Sequence, residues 1–293
     1  MRPIFEKVAF LGVGLIGSSL ARAVRKAGAA KRIVTFDGNA GHAALAKNLG
    51  VVDETAGTAI EAVTGADLVI FAVPMGAYAE LAAEIGPHLA PGAIVSDVGS
   101  VKMAVIRDLG PHIPEGVHLV PAHPIAGTEN SGPEAGFAEL FEGRWAIVTP
   151  PPGTDETAVR RVADLWRAVG SEVEIMEAGH HDRVLAITSH LPHLIAYTIV
   201  GTATDLEGSL QQEVIKFSAS GFRDFTRIAA SDPTMWRDVF LNNREAVLDV
   251  LQRFTEDLTA LQRAIRWGEG EQLFDLFTRT RAIRRSIIDA KQA

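Results

Sequence analysis

Through the first 176 residues the apolar positions fall in short continuous runs, each followed by a stretch with helical spacing. Val8-Ala9-Phe10-Leu11 leads through glycines into a helix from about Leu15 to Ala27, which Gly28 would close in the left-handed conformation. Arg32–Asp37 is the next predicted strand, and a helix near Ala40–Leu49 ends at Gly50. Leu68–Val73 is apolar without alternation, the pattern of a central parallel strand covered on both faces. A helix to about Leu89 and the Pro91-Gly92 turn precede a strand at Ala93–Asp97. Val98–Lys102 is a second tight turn into a helix. Further strands are predicted at His118–Pro121, Trp145–Val148 and Glu172–Met176, with a helix from a Thr154 cap to Val169. This alternation predicts an α/β fold with a doubly wound sheet.

The rhythm changes after Met176. From His180 onward the spacing is helical and no period-two run occurs. Asp232-Pro233 reads as N-cap and first helical position. Apolar residues then recur from Trp236 and Phe240 through Leu251, Phe254 and Leu261 towards Trp267. That spacing predicts one helix of about 35 residues, roughly 50 Å long at 1.5 Å per residue. A break near Asn242-Asn243 is the alternative. A helix of that length needs more cover than a small domain supplies, so a second copy of the chain is expected against it. The expected division is therefore 1–177 for the α/β domain and 178–293 for an all-α, dimerising domain.

Composition narrows the function classes. The chain has 293 residues and a formal net charge of −8, which offers no electrostatic footprint for nucleic acid or an anionic membrane. It has no cysteine, which excludes disulfides and thiolate chemistry and fits a reducing compartment. The apolar start followed by Ala21-Arg22-Ala23 resembles a signal peptide, but cleavage there would remove the first strand and its glycine turn. A cytoplasmic location is expected. No continuous run of about 18 apolar residues is found, so no membrane span is predicted.

The glycines after the first strand are spaced G-x-G-x-x-G, and Gly12, Val13, Gly14, Leu15, Ile16 and Gly17 form a candidate pyrophosphate turn. Gly12 suits the turn, Gly14 close approach of the phosphates, and Gly17 close packing of helix on strand. Asp37 lies 20 residues beyond Gly17 at the end of the second strand. A carboxylate there accepts hydrogen bonds from a ribose and repels a 2′-phosphate, which favours NAD over NADP. Val73 and Pro74 end a strand over which the dinucleotide would lie. The expectation is a Rossmann-type cofactor domain.

Among nine histidines, His123 differs because it follows a strand within a Pro/Gly-containing loop beside Thr128 and Glu129. Ligands of open α/β sheets bind beyond the carboxyl ends of strands, where a histidine is placed to accept a proton. Ser100 occupies a comparable strand-to-helix turn and reads either as a substrate contact or as a helix cap. His190 and His193 are three apart and share a helical face, a spacing that also suits metal, although no third ligand completes such a site. Arg223 and Arg227 offer guanidinium groups that match a carboxylate, with a solvated arginine as the alternative.

Three stretches together resemble the prephenate/arogenate (cyclohexadienyl) dehydrogenase family of tyrosine biosynthesis. They are Gly12–Gly17, His123-Pro124-Ile125-Ala126-Gly127-Thr128-Glu129, and Ser189–His193 followed by Asp224-Phe225-Thr226-Arg227 and Asp232-Pro233-Thr234-Met235-Trp236. The resemblance implies a Rossmann domain joined to a helical dimerisation domain. It also implies NAD-dependent oxidation of a 4-hydroxycyclohexadienyl carboxylate, with loss of CO₂ making the ring aromatic. His123 would then accept the C4 hydroxyl proton, with Ser100 between hydroxyl and imidazole and also beside the cofactor. Arg227 would hold the ring carboxylate, His193 would lie near the substrate side chain, and Glu129 at the pocket mouth. Trp236 would form part of the wall, with Thr128 and His190 completing the substrate set. The chain leaves no room for a fused mutase or regulatory domain, so any feedback by tyrosine would act at the active site. A β-hydroxyacid dehydrogenase or imine reductase would need a lysine in the helical half, where only Lys216 and Lys291 occur, neither in a matching context. A non-catalytic NAD-sensing regulator would tolerate loss of His123.

Overall fold

Six parallel strands form the main sheet: β1 (Phe5–Leu11), β2 (Ala30–Phe36), β3 (Glu54–Thr55), β4 (Leu68–Phe71), β5 (Ile94–Asp97) and β6 (His118–Leu119). Their spatial order is β3-β2-β1-β4-β5-β6, the doubly wound arrangement that the alternation predicts. The order reverses between β1 and β4, which pair through Val8–Leu11 and Leu68–Phe71. Helices α1 (Leu15–Ala27), α2 (Ala40–Asn48), α3 (Ala59–Val63), α4 (Tyr78–Ile85) and α5 (Lys102–Leu109) link the strands. The computed structural model describes residues 2–204, 213 and 216–289, which pack as two compact units dividing after Arg244.

Both faces of the sheet are buried, which is why the strands read as continuous apolar runs. One face packs Val8, Phe10 and Ile70 against Leu20 and Val24 of α1, reaching Phe141 and Trp166. The other packs Ala9, Leu11, Val69 and Phe71 against Tyr78 and Val105, and reaches Trp236 and Val239. Burying one large apolar side chain contributes about 1.5–3 kcal/mol, so these faces dominate the stability of the unit.

The last two predicted strands leave the main sheet and pair with a short strand that the sequence does not predict. β7 (Ala122–Pro124), β8 (Trp145–Val148) and β9 (Glu172–Ile175) form a separate sheet, with β7 antiparallel to β8 and β8 parallel to β9. The cause lies at the end of β6. Val120 still donates to Val95, but Pro121 has no N–H, and the backbone of Ala122 bonds the side chains of Asp97 and Lys102. His123 therefore sits on a strand, where the sequence suggests a loop. Before helix α6 (Glu156–Ala168) the cap is Asp155, which accepts from Ala158, whereas the Thr154 hydroxyl donates to Pro151.

The remaining described elements are helical. A single helical rod runs through α7 (Ala178–Leu185), a π-turn at Ala186–His190 and α8 (Leu191–Thr204). Pro192 explains the π-turn: it cannot donate, and its ring crowds the carbonyl four residues back, at Thr188. The stretch Ala178–Thr204 has the length and mean hydropathy, 1.4, of a membrane span, contrary to the sequence-based reading. Its first half buries His181, Asp182 and His190, as suits a protein interior. α9 (Ser220–Thr226) and α10 (Pro233–Asn242) follow, and Asp232 caps α10 by accepting from Met235, as the sequence indicates.

The single helix of about 35 residues is not formed. α10 stops at Asn242 and α11 (Arg244–Trp267) starts anew, because Asn243 has a non-helical ψ of 31° and a buried, hydrogen-bonded side chain. α11 ends at a turn through Gly268, at φ +71°, and α12 (Gly270–Asp289) follows it. In that unit Leu258, Ile265, Trp267, Phe274 and Phe277 are exposed.

The glycine turn between β1 and α1 separates two physical roles. Gly12 has φ +95°, and a Cβ on it would lie 2.5 Å from the Ala72 carbonyl oxygen. Gly14 has nothing within 4 Å and stands at the uncapped N-terminus of α1. Gly12→Ala is expected to cost about 2–4 kcal/mol through backbone strain and overpacking. Gly14→Ala should cost less than about 1 kcal/mol. Urea unfolding of the two variants checks the contrast.

Candidate active site

The site begins at the carboxyl end of β5. Asp97 is fully buried, and its carboxylate accepts from Gly99 N at 2.7 Å, Ala122 N at 3.1 Å and Lys102 Nζ at 2.6 Å. Lys102, equally buried, also donates to the Ala122 carbonyl at 2.7 Å. Three N–H donors on one carboxylate suit its ionised form. Burial pushes the Asp97 carboxyl up and the Lys102 ammonium down, and their mutual attraction opposes both shifts. The pair fixes both backbone groups of Ala122, and hence where the next residue, His123, begins.

A second carboxylate arrives from α7. Glu177 caps that helix by accepting from Gly179 and His180, which presents His181 and Asp182 in the first turn. Asp182 accepts from Lys102 N at 2.7 Å and Met103 N at 2.9 Å. These are open N–H groups of α5, whose own N-cap residue, Val101, supplies no side-chain bond. The same carboxylate accepts from His181 Nδ1 at 2.8 Å, and His181 Nε2 lies 2.9 Å from His123 Nδ1. Asp182, His181 and His123 thus form a continuous chain.

His123 is 9% exposed, and its side-chain bonding within the described residues is confined to Nδ1. Burial pushes its pKa well below the usual imidazole value, and His181, Lys102 and His190 reinforce the shift. His181 is also lowered by burial, opposed by the hydrogen bond it donates to Asp182. At neutral pH both imidazoles are neutral, which is the form a proton acceptor needs.

The adjoining wall comes from the helical rod and α10. His190 is fully buried with Nδ1 3.1 Å from Asn243 Nδ2, and burial lowers its pKa to about 4. Asn243 also donates to the Asp182 backbone carbonyl. Trp236 stacks on His193 at 3.6 Å between centroids and meets the His190 ring edge-on at 6.1 Å. His193 Nδ1 donates to Ser189 O, leaving Nε2 as an acceptor. At the exposed rim, Arg227 Nη1 bonds Glu129 Oε2 at 3.1 Å, and the Thr128 hydroxyl accepts from Asn130.

The cofactor residues gather where the strand order reverses, the place where open sheets bind ligands. Gly12–Gly17 follows β1, and Val73 and Pro74 follow β4. Asp37 braces the turn, its Oδ2 accepting from Val13 N at 2.9 Å and its Oδ1 from Asn39 N at 2.8 Å. Each oxygen retains a lone pair for a ribose hydroxyl. The first turn of α1 carries no acidic residue, and the space over Gly14 is open. These residues fit a dinucleotide with its pyrophosphate on the helix N-terminus.

Not every singled-out residue joins the histidine chain. Ser100 is half-buried in the β5–α5 turn and makes no side-chain hydrogen bond to His123. His190 turns inward to Asn243. Sequence reasoning passed over His181, Asp182, Lys102, Asp97 and Asn243. The faint signal was a histidine-aspartate pair opening a helix, which no spacing rule connects to His123.

This fold and site define a dinucleotide-dependent dehydrogenase. Residues 20–175 match the family model "Prephenate dehydrogenase, nucleotide-binding domain", and residues 177–279 match "Prephenate dehydrogenase, dimerization domain". The cyclohexadienyl dehydrogenase of Zymomonas mobilis is 41% identical, covering 96% of each chain. The crystal structure of Aquifex aeolicus prephenate dehydrogenase with hydroxyphenyl propionate and NAD+ has a TM-score of 0.89 and 34% identity, covering 96% of this chain and 98% of that one. A Synechocystis arogenate dehydrogenase structure gives 0.80 and 25%, covering 96% and 99%. The chain belongs to the prephenate dehydrogenase family.

The Asp97–Lys102 pair yields a stability test. Lys102→Met strands a buried carboxylate and is expected to cost about 3–5 kcal/mol at neutral pH. The stranded carboxyl would have a folded pKa above its unfolded value, so the deficit is absent at low pH and grows as pH rises through that interval. Urea unfolding of both proteins between pH 4 and 7 reads the difference.

Proposed function

We propose that this chain oxidises prephenate, arogenate or both, yielding 4-hydroxyphenylpyruvate, tyrosine or both with release of CO₂. The observation that carries the reading is His123: buried, neutral, and bonded among the described residues through Nδ1 alone. Its Nε2 is then the atom that accepts the C4 hydroxyl proton. Bound NAD⁺ would supply the hydride acceptor, held by Gly12–Gly17, Asp37, Val73, Pro74 and Ser100. As the C4 hydroxyl loses its proton and the C4–H bond breaks to release hydride, C4–O becomes a carbonyl; cleavage of the ring C1–carboxylate bond then releases CO₂ and leaves an aromatic phenolate, which takes the proton back from His123 Nε2. Arg227 binds the ring carboxylate through the guanidinium nitrogens that Glu129 leaves free. Thr128, Glu129, His190, His193 and Trp236 form the rest of the substrate site, with His193 Nε2 towards the side chain. Trp236 supplies the flat apolar wall that excludes water from the ring.

The functional division is taken at 177/178, with the helical part both closing the site and pairing two copies of the chain. Exposed Ile265, Phe274 and Phe277 support a homodimer, as does the match to a dimerization domain. The location is taken as cytoplasmic, and a tyrosine effector would occupy the substrate site itself.

His123→Asn is expected to lower kcat by about 100-fold or more while leaving NAD⁺ affinity unchanged. Because burial depresses the imidazole pKa, kcat/KM should hold through pH 6.5 and fall only well below it. Measuring kcat/KM for prephenate and arogenate with NAD⁺ and NADP⁺ assigns substrate and cofactor; no reduced cofactor with either substrate sinks the reading. Independently, Phe274→Glu should shift the sedimenting species from dimer towards monomer.

A further inference from the structure

The imidazole that accepts the proton is not held alone. Asp182 Oδ1 accepts from His181 Nδ1, so that nitrogen carries the hydrogen and His181 Nε2 carries a lone pair. Across the 2.9 Å contact, His123 Nδ1 must then be the donor. The hydrogen of neutral His123 is thereby placed on Nδ1, and Nε2 is left bare. Two further backbone donors, Lys102 N and Met103 N, hold the Asp182 carboxylate in place. Its position is therefore set by the N-terminus of α5, independently of any substrate.

We propose that His181 and Asp182 are positioning residues for His123, fixing its Nδ1–H tautomer and taking up the positive charge that arrives with the substrate proton. The proposal rests on His123 being the base. The C4 hydroxyl O–H bond breaks and a His123 Nε2–H bond forms. The Nδ1 proton is then shared with, or passed to, His181 Nε2, and the charge comes to rest beside Asp182. No other participant is needed, because the proton returns from Nε2 to the phenolate oxygen left when CO₂ departs, giving the phenol and restoring neutral His123.

The surroundings explain why such a pair is required. The groups facing the two imidazoles are Lys102 and Asp97 from the β5–α5 side, His190 and Asn243 from the helical wall, and Asp182 on α7. Lys102 is already matched by Asp97 at 2.6 Å. Asp182 is the remaining carboxylate among those groups, so it is the counter-charge for a new imidazolium. Burial otherwise makes His123 a weak base, as its depressed pKa reflects.

Two substitutions and one spectrum test this. His181→Leu removes both acceptor and proton carrier, whereas His181→Gln keeps an acceptor oxygen near Nε2 but cannot carry a proton. The expected result for Leu is a kcat loss of about 100-fold or more with KM and NAD⁺ affinity within about threefold. Gln should recover part of kcat, and the acid limb of its kcat/KM profile should move to lower pH, because protonation of the imidazole pair is lost. A purely structural role would move stability and KM together and leave that limb in place. In the unmodified protein, ¹⁵N-histidine NMR at neutral pH should show a bare Nε2 and a protonated Nδ1 for His123. Wild-type kcat in both variants, or a His123 that carries its proton on Nε2, overturns the proposal. Should His123→Asn itself retain full kcat, the reading of His123 as base fails instead, and the NMR assignment still stands on its own.

Discussion

One buried ion pair underlies the geometry of this enzyme. Asp97 and Lys102 lie five residues apart across the β5–α5 turn, and between them they satisfy both backbone groups of Ala122. Without that pair, both backbone polar groups of Ala122 would be buried without these partners. With it, the chain turns into a new strand whose second residue is His123. Buried charges are expensive unless paired and hydrogen-bonded, and here the partners are part of the path of the main chain.

A second carboxylate repeats the logic from further away. Asp182 is distant in sequence from the helix end it caps, yet it closes the N-terminus of α5 and holds His181 in the same act. The rod that carries it is shaped by Pro192, and the rod's buried polar residues meet Asn243 where α10 ends. The site is thus assembled from three places in the sequence, β5–β7, the start of α7, and the α10–α11 junction, all tied by hydrogen bonds to charged or imidazole groups.

The sheet was legible in the sequence because its cause is local. Continuous apolar runs, the G-x-G-x-x-G turn and left-handed glycines each report on their own few residues, and the strand boundaries differ by at most a few positions. Gly28 and Asp232 behave as the cap rules require. Residues whose meaning depends on distant partners were not legible. Lys102 read as the start of a helix, His181 as one histidine among nine, and Asn243 as a possible break with no reason attached. The departure of β7 from the main sheet belongs to the same class, since it depends on where two side chains reach. Its position after a strand singled out His123 and the family resemblance gave it a role, but neither pointed to His181 or Asp182.

The capping of α5 by Asp182 ties an early helix to a later one. The glycine turn, Asp37 and the end of β4 all precede β5, but the carboxylate bonded to His181 enters only with α7. A chain cut between β9 and α7 would therefore lose the cap of α5 and the partner of His123 in one stroke.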